Sequence, residues 1–261
     1  MKNNLFAQEK LDYAKIWIRE AGSFLRANLY GHLEVREKSN FTDLVTNFDK
    51  QVQNLLLEHI QSEFPRDKIL AEESGQSQND FDREKENFWL IDPIDGTANF
   101  VVQQDNFAVM IAYYQKGQAQ FGLILDVMND KLYWNDKDKV YCNKQPLAPH
   151  NKELKQGLVA MSSWIYRDNA YHLANFANKS LGVRMIGSAG LTHAAMLEGK
   201  IIAYFSYLQP WDYAAGSILL AKLGVVSKTF SGAKPDLKTQ QLVYSIGEHL
   251  ETELRLSLKE E

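Results

Sequence analysis

The segment FWLIDPIDGTANF, residues 88–100, places two acidic side chains directly after four large apolar residues. A continuous apolar run of this kind is typical of a short strand buried on both faces. Asp92 and Asp95 follow it, and an acid at the end of a buried strand is costly unless positive charge lies nearby. Pro93 stiffens the backbone between the two acids, and Gly96 permits close approach to a ligand. The segment therefore predicts a ligand-binding site at a strand end.

A second strand end carries acids in the same way. Residues 69–71 form a short apolar strand that leads directly into Glu72 and Glu73. If both strand ends lie in one sheet, four carboxylates meet, and they repel one another unless protons or metal ions intervene. Hard oxygen ligands without His or Cys nearby favour Mg²⁺ or a similar ion. Thr97 then opens a short helix over 97–100, whose first N–H groups predict a phosphate site.

Two further acids fit the same site. Asp49 falls in the first turn of a helix predicted over 48–64, which Pro65 ends. Asp212 opens a helix predicted over 212–223, and the small residues at 214–216 allow that helix to pack closely. Capping of a helix N-terminus is the alternative role for both acids.

The rest of the chain is predicted to form the helices and strands around this site. The first half is predicted to contain a long amphipathic helix over 5–30, a strand over 33–37, a polar loop over 74–86, and an antiparallel meander over 107–115, 119–127 and 131–135. A linker follows at 146–151. The second half alternates strands and helices: strands 157–161, 183–186, 201–206, 225–229 and 241–246, helices near 168–180 and at 190–198 and 212–223, and a C-terminal helix.

These patterns predict an α+β fold and a single catalytic domain over residues 1–261. Its structural halves are a metal-rich front half, about 1–145, and an α/β back half, about 146–261. The length of 261 residues is enough for a substantial core.

Composition narrows the class of protein. The formal charge of −4 argues against a nucleic-acid partner, which needs a basic surface. The longest aromatic and apolar run, 107–114, is too short to span a bilayer, and the N-terminus lacks a signal-peptide core. Cys142 is the single cysteine, so no disulfide can form within the chain. We therefore expect a cytoplasmic protein without a membrane or nucleic-acid partner.

Four segments, in this order and spacing, resemble the inositol monophosphatase family, within the lithium-sensitive, magnesium-dependent phosphatase superfamily. They are KSNFTDLVTNFD (38–49), EES (72–74), WLIDPIDGTANF (89–100) and WDYAAG (211–216). The third is highly specific, and the resemblance spans nearly the whole chain. It implies a layered αβαβα sandwich with an antiparallel-rich front sheet, and a homodimer.

The resemblance also implies the chemistry. The protein would be a phosphoric monoester hydrolase that cuts a small sugar, inositol or related phosphate ester with a metal-activated water. It would use two or three Mg²⁺ ions, with Mn²⁺ as a substitute and Ca²⁺ and Li⁺ as inhibitors. The implied metal ligands are Glu72, Asp92, Asp95, Asp212 and the carbonyl of Ile94. The implied catalytic residues are Glu72, Thr97, Asp49 and Thr46. The implied substrate contacts are Asp95, Gly96, Thr97, Lys38, Ser206 and Asp212.

One departure leaves the substrate open. Many inositol-specific members place a Glu a few residues before the Trp-Asp pair, whereas residues 203–210 contain no acid and Ser206 occupies that region. Fructose 1,6-bisphosphate, a nucleotide 3′-phosphate and NADP remain alternative substrates. A predicted helix on the substrate side opens with Ser188, Ala189, Gly190 and Thr192. Arg184 is either an anion contact or part of a surface ion pair, and His193 is interpreted as a helix-face residue.

Two other classes of function also stay open. An aspartyl-phosphate enzyme would use Asp92 as its nucleophile, although such enzymes have a tighter Asp-x-Asp spacing. A non-catalytic regulator would keep the fold only to bind metal, phosphate or a protein.

Overall fold

The computed structural model describes residues 2–74 and 81–258, with side chains from residue 7 onward. Its helices are α1 (Lys2–Asn28), α2 (Asn47–Glu63), α3 (Thr97–Gln103), α4 (Ser163–Arg167), α5 (Leu173–Ala177), α6 (Ala189–Leu197), α7 (Pro210–Ala221) and α8 (Glu251–Ser257). Its strands are β1 (Val35–Glu37), β2 (Leu44–Thr46), β3 (Lys68–Ala71), β4 (Asn87–Asp95), β5 (Ala108–Gln115), β6 (Gln118–Asp126), β7 (Lys131–Asn135), β8 (Val140–Cys142), β9 (Gln145–Pro146), β10 (Leu158–Met161), β11 (Gly182–Arg184), β12 (Ile201–Leu208), β13 (Val225–Thr229) and β14 (Gln241–Gly247). Among the described helices, none combines the length and apolar character that a membrane span requires.

The front sheet runs in the order β3-β4-β5-β6-β7-β8-β9. β3 pairs with β4 in parallel, and every later neighbour pairs antiparallel. The predicted meander is therefore confirmed, and it continues through two short strands, β8 and β9. The parallel pair is the part that matters for the site, because parallel strands end at the same edge of a sheet.

Alternating side chains of the front sheet are buried on opposite faces. Trp89 and Ile91 of β4 pack against α1 and α2 in one core cluster. Phe88 and Leu90 pack on the other face in a second cluster, which contains α6 and α7. Burial on both faces explains why the strand reads as a continuous apolar run rather than as an alternating one.

A second sheet closes the layering. It runs β11-β10-β12-β14-β13, with β11, β10 and β12 parallel and the last two strands antiparallel to their neighbours. One face joins the core around α6 and α7. The other face, with Phe205 of β12, packs against Phe176 of α5 and Leu254 of α8. The order of layers is therefore helices, sheet, helices, sheet, helices, a mixed α/β sandwich.

Helix α7 is packed tightly in the central layer. A Cβ added at Gly122 of β6 would lie 2.5 Å from the carbonyl oxygen of Ala215. A Cβ added at Gly216 would lie 2.3 Å from the ring of His193 on α6. Real Cβ atoms do not approach other atoms so closely, so each position needs a residue without a side chain. The predicted close packing of this helix is confirmed.

Several boundaries differ from the sequence predictions. A single helix near 168–180 is wrong: α4 and α5 are separate, and a one-turn helix with left-handed Tyr171 and His172 lies between them. Residues of positive φ cannot continue a right-handed helix. The predicted linker at 146–151 begins on β9, and the strand predicted over 183–186 is the shorter β11. Part of the predicted loop over 74–86, residues 75–80, lies outside the described residues.

Candidate active site

Two strand ends bring the first acids together. β3 and β4 pair in parallel with Ala71 opposite Ile91, so Glu72 and Asp92 are the next residues at the same edge. Asp92 is buried, and burial raises its pKa well above the usual range, as do the neighbouring charges of Glu72, Asp95 and Asp212. The sheet register therefore produces the contact that the two apolar runs predicted.

Asp95 is held by the start of another helix. Its carboxylate accepts hydrogen bonds from the Ala189 N–H at 2.9 Å, from the Gly190 N–H at 2.7 Å, and from the Ser188 hydroxyl. Burial raises the pKa of Asp95, and these three donors oppose that shift. The N-terminus of α6 thus fixes the orientation of this side chain. A Cβ at Gly190 would lie 2.9 Å from the Met110 sulfur and 3.0 Å from the carboxylate, so a side chain at this position would crowd the contact.

Asp212 comes from the far side of the cleft, in the first turn of α7. Its carboxylate accepts a hydrogen bond from the Gln209 N–H at 2.8 Å as part of a capping box. Burial raises its pKa well above the usual range, and the charges of Glu72 and Asp95 raise it further. Helix capping and proximity to the other acids are therefore both present, although the sequence offered them as alternatives.

A hydroxyl network lies beside these acids. Thr46 caps α2, and Asp49 accepts hydrogen bonds from the Thr46 N–H at 2.7 Å and from its hydroxyl. Thr97 Oγ1 lies 3.3 Å from Asp49 Oδ1 and 3.0 Å from the Ile94 carbonyl oxygen. Burial raises the pKa of Asp49 to about 6, and the hydrogen bonds from Thr46 oppose that shift. These contacts orient the Thr97 hydroxyl between two acceptors.

Lys38 lies in the turn between β1 and β2 and reaches the acids. Its Nζ lies 2.7 Å from Glu72 Oε1 and 2.8 Å from Glu73 Oε1. Burial lowers the pKa of Lys38, but the two carboxylates more than compensate and raise it. Burial raises the pKa of Glu72 to about 7, even though the Lys38 charge opposes the shift. The ammonium therefore offsets only part of the negative charge.

The donor set fits a hard divalent cation. Four acids line one part of the cleft, and burial raises the carboxyl pKa of each. Neighbouring acids raise the pKa values of Glu72, Asp92 and Asp212 further, so the site is favourable only with protons or added positive charge. All of the donor atoms are oxygens, which Mg²⁺ prefers. Within residues 2–74 and 81–258, no three His, Cys, Asp or Glu side chains already converge in metal-binding geometry. The four carboxylates instead contact protein donors, which for Asp92 is the Ile94 N–H at 3.1 Å.

The cleft between the two sheets has a volume of about 550 Å³. Its acidic end is lined by Glu72, Asp92, Ile94, Asp95, Gly96, Thr97 and Asp212, so most of the predicted site residues share one cavity. Gly96 has a φ of +90°, and a Cβ there would lie 3.1 Å from Ser188. The backbone can take this turn toward the cleft because the residue has no side chain.

The rest of the cleft lining includes an uncharged group: Met161, Ser162, Met185, Tyr204 and Ser206. The Ser162 hydroxyl is buried and has no hydrogen-bond partner in the part of the chain that the structure describes. Burial raises the pKa of Tyr204, as do the charges of Asp95 and Asp212, and hydrogen bonds from Ser206 and Thr192 act in the opposite direction. This uncharged part of the lining therefore presents hydroxyls, thioethers and a phenol ring beside the acids.

Four other residues with reactive or aromatic side chains have no role in the candidate active site. His193 is buried, packs edge-on against Tyr204 with ring centroids 5.5 Å apart, and burial lowers its pKa to about 4. Arg184 is exposed and donates to the carbonyl of Val183. Cys142 is half-buried in β8, and burial raises the pKa of its thiol, which disfavours the thiolate form. Trp211 packs against the second core cluster.

The sequence did not predict two positioning residues, nor the bond that a third one makes. Ser188 starts α6 and lines the cleft, as predicted, but its bond to Asp95 was not predicted. Asn99 donates to the carbonyls of Asn106 and Ile186, both at 2.9 Å, and so ties α3 to the loop before α6. Gln53 accepts a hydrogen bond from the Glu73 N–H at 2.8 Å. No local pattern marks the last two, because their partners lie far away in sequence.

The chain is similar in sequence to a known protein family and to individual enzymes. The chain matches the model of the inositol monophosphatase family over residues 7–260. Inositol-1-monophosphatase of Bacillus subtilis (strain 168) is 39% identical over 228 residues, which covers 85% of each chain.

Solved structures share the fold. An IMPase/NADP phosphatase complexed with Mg²⁺ and phosphate has a TM-score of 0.89 and 24% identity, covering 98% of this chain and 97% of its own. SaIMPase-II with 2′-AMP bound has a TM-score of 0.84 and 30% identity, covering 94% of this chain and 92% of its own.

Proposed function

The chain belongs to the inositol monophosphatase family and is a phosphoric monoester hydrolase, and we propose that it cuts a small sugar, inositol or related phosphate ester with the help of Mg²⁺. One observation carries the proposal: the ends of β3 and β4 and the start of α7 direct Glu72, Asp92, Asp95 and Asp212 into one cleft. Single-domain organisation over residues 1–261 is part of the same proposal.

The family is metal-dependent, and the donor set of this chain suits Mg²⁺. Two or three ions would be held by Glu72, Asp92, Asp95, Asp212 and the Ile94 carbonyl, which has a second lone pair besides the one that accepts from Thr97. When bound, such ions neutralise phosphate charge and lower the pKa of nearby water. Mn²⁺ is proposed as a substitute, and Ca²⁺ and Li⁺ as inhibitors.

The residues of the chain would position the attacking water. Thr97 Oγ1 donates toward Asp49 or the Ile94 carbonyl, so its lone pairs are left to accept a hydrogen from water. Thr46 holds Asp49 through its N–H and hydroxyl and so prevents that carboxylate from turning away. Glu72 would orient the water from the other side. Positioning of this kind dominates phosphoryl transfer, which needs little covalent work from the protein.

The phosphate would lie at the turn before α3. The left-handed Gly96 exposes the backbone there, and Gly96 and Thr97 both line the cleft. Asp95 and Asp212 would contact the substrate from either side. Lys38 would lie at the mouth, where its present pairing with Glu72 and Glu73 brings positive charge to the acidic end.

A second candidate substrate is a nucleoside monophosphate. The uncharged part of the cleft lining, with Met161, Met185 and Tyr204, offers apolar and aromatic surface to a base. Ser206 stands in the region where an acid would bind sugar hydroxyls, and a neutral hydroxyl binds them more weakly than a carboxylate. SaIMPase-II, whose structure holds 2′-AMP, supports this candidate. Among the described residues, none that lines the cleft is basic and could receive a second phosphate, so fructose 1,6-bisphosphate is less favoured.

We also propose a cytoplasmic homodimer. Val102, Leu181 and Met185 are large apolar side chains that are at least half exposed in the monomer, at 79%, 68% and 50%. The family resemblance implies the dimer, and a contact between two copies would cover apolar side chains of this kind. Size-exclusion chromatography with light scattering gives the oligomeric state directly.

The proposed activity is tested with the purified full chain and a panel of phosphate esters. The panel contains inositol 1-phosphate, fructose 1,6-bisphosphate, 2′-AMP, 3′-AMP and NADP, each with Mg²⁺, with Mg²⁺ plus Li⁺, and with chelator. We expect phosphate release that requires Mg²⁺ and is inhibited by Li⁺. Comparison of kcat/KM across the panel ranks the two candidate substrates.

Two outcomes would contradict the proposal. Absence of Mg²⁺-dependent release from every ester would favour the non-catalytic regulator. A covalent phosphoenzyme trapped on Asp92 would favour the aspartyl-phosphate mechanism, whereas direct transfer of labelled oxygen from water to phosphate supports the proposed one.

A further inference from the structure

A second cavity lies beside helix α7, and no step of the proposed reaction uses it. This back cavity has a volume of about 570 Å³, and its floor is formed by Tyr213, Ser217 and Ala221, which share one face of α7. Val225 of β13 and Leu237 of the following loop contribute walls. None of its lining residues also lines the active cleft. It is therefore a separate concave site, similar in volume to the active cleft.

The cavity opens to solvent and is not a void inside the hydrophobic core. Gly224, at its edge, has a φ of +76°, and a Cβ there would meet no atom within 4 Å. Ala221, at the end of α7, is exposed. Cavities of several hundred Å³ with mainly apolar walls and a few polar groups are the usual form of small-molecule sites.

The hydroxyl groups closest to the floor are buried beneath the cavity surface. The Ser217 hydroxyl oxygen is buried and has no hydrogen-bond partner among residues 2–74 and 81–258. The Tyr213 hydroxyl accepts from the Leu237 N–H at 3.0 Å. Because the Ser217 oxygen has no surface exposed to the cavity, a ligand would meet mainly the apolar lining.

The rim is positively charged in a protein whose overall charge is −4. Lys222, Lys228 and Lys234 line the cavity, against the single acid Glu248. Lys228 is already paired with Glu251 at 2.7 Å, and Lys222 donates to the Lys137 carbonyl. Lys234 is exposed and makes no hydrogen bond or ion pair with any described residue. One ammonium is therefore uncommitted.

We propose that the back cavity binds a small aromatic anion. The mainly apolar floor and walls fit a flat apolar body, and Lys234 fits one anionic group. A polyanion fits less well, because Lys228 is already paired with Glu251 and Glu248 adds a negative charge to the rim. This assignment does not depend on the reaction proposed for the active cleft.

The test uses a fluorescent probe that has this chemistry. 8-Anilinonaphthalene-1-sulfonate is titrated against the full chain, and N-phenyl-1-naphthylamine serves as its uncharged counterpart. We expect saturable binding of the sulfonate at one site and weaker binding of the uncharged probe. Ala221→Phe should abolish the saturable signal, because the new ring fills the cavity.

Charge is tested with a matched pair of surface variants. Lys234→Gln should weaken binding of the sulfonate by about two- to fivefold, the range of one exposed ion pair. Lys238→Gln, an exposed lysine of the same loop that does not line the cavity, should leave it unchanged. Both substitutions lie on the surface, so they remain informative if Ala221→Phe fails to fold, which thermal unfolding reveals.

Three results would overturn the assignment. These are no saturable binding of the sulfonate, unaltered binding by folded Ala221→Phe, and equal binding by Lys234→Gln and Lys238→Gln.

Discussion

Two groups of carboxylates in this molecule show opposite behaviour. In the active cleft, burial and neighbouring acids raise the pKa of Asp92 well above its usual range. At the outer face of the second sheet, Glu251 accepts hydrogen bonds from Lys228, Arg255 and Tyr244 at 2.7–2.9 Å. Burial acts on Glu251 as well, but these donors outweigh it and lower its pKa to about 2.

The direction of the pKa shift distinguishes acids that stabilise the fold from acids that need a bound cation. Glu251 has its counter-charges in the chain, so its ionised form stabilises the fold. Asp92 faces other acids, so its ionised form costs stability until a cation is supplied from solution. Perturbed carboxyl pKa values of the second kind concentrate at functional sites. Substitutions in the two groups should accordingly change different quantities.

The largest effect is expected from Asp92→Asn. The substitution removes an acid from the cation site but keeps the side chain's shape, so Mg²⁺-dependent kcat/KM should fall by at least about 1,000-fold. Without metal the free energy of unfolding should be unchanged or higher, because a repulsive charge is gone. Steady-state assays and urea unfolding measure both quantities. Asp138→Asn, at an exposed turn, is the matched control. Near-normal Mg²⁺-dependent turnover by Asp92→Asn would contradict the assignment of the site.

Metal addition should stabilise the protein only through the cleft. At a concentration about 100 times its Kd, Mg²⁺ should raise the free energy of unfolding of the wild type by about 2–3 kcal/mol. Glu251→Gln should keep this increment, and Asp92→Asn should lose most of it. Thermal unfolding with Mg²⁺ and with chelator measures it. An equal increment in all three proteins would show that the ion binds elsewhere.

Glu251→Gln should affect stability and not activity. The substitution leaves Lys228 and Arg255 without their shared carboxylate, but both reach solvent, so the expected loss is only about 1–2 kcal/mol. Mg²⁺-dependent kcat/KM should stay within about twofold of the wild type. A large loss of activity in Glu251→Gln at unchanged stability would contradict the distinction between stabilising acids and cation-binding acids.

The smallest expected effect is a pH dependence of the difference in unfolding free energy between the wild type and Glu251→Gln. The pKa of Glu251 is about 2 in the folded protein and 4.5 ordinarily, so its contribution is complete above pH 4.5 and is lost as the pH falls toward 2. The difference in unfolding free energy between wild type and Glu251→Gln should therefore shrink by about half by pH 3. Urea unfolding in chelator at pH 6 and pH 3 measures it. A difference that grows on acidification would contradict the lowered pKa.

Sequence reasoning predicted the parts of the site that depend on local pattern. Apolar strands followed by acids located Glu72, Asp92 and Asp95, because buried strands and polar strand ends leave a clear contrast in sequence. Capping patterns located Asp49 and Asp212 in first helical turns. The antiparallel meander and the alternating back half followed from periodicity and turn residues.

What it missed depends on contacts between distant segments. The bonds from Asn99 to Ile186 and from Ser188 to Asp95 join residues 87 and 93 positions apart. The break between α4 and α5 rests on left-handed Tyr171 and His172, residues that local propensity does not mark for positive φ. The back cavity was also invisible, because a cavity is space between elements.

Helix α7 also limits how the sequence can evolve. Gly216 lies within the helix, and Gly122 lies on β6 directly against it. Neither contacts metal or substrate in the proposed reaction, yet a methyl group at either position would lie within 2.5 Å of another atom. The helix carries Asp212 into the cleft. We therefore expect both positions to be conserved as strictly as the acids. In a library selected for phosphatase activity, alanine should be eliminated at both, as asparagine should be at position 92.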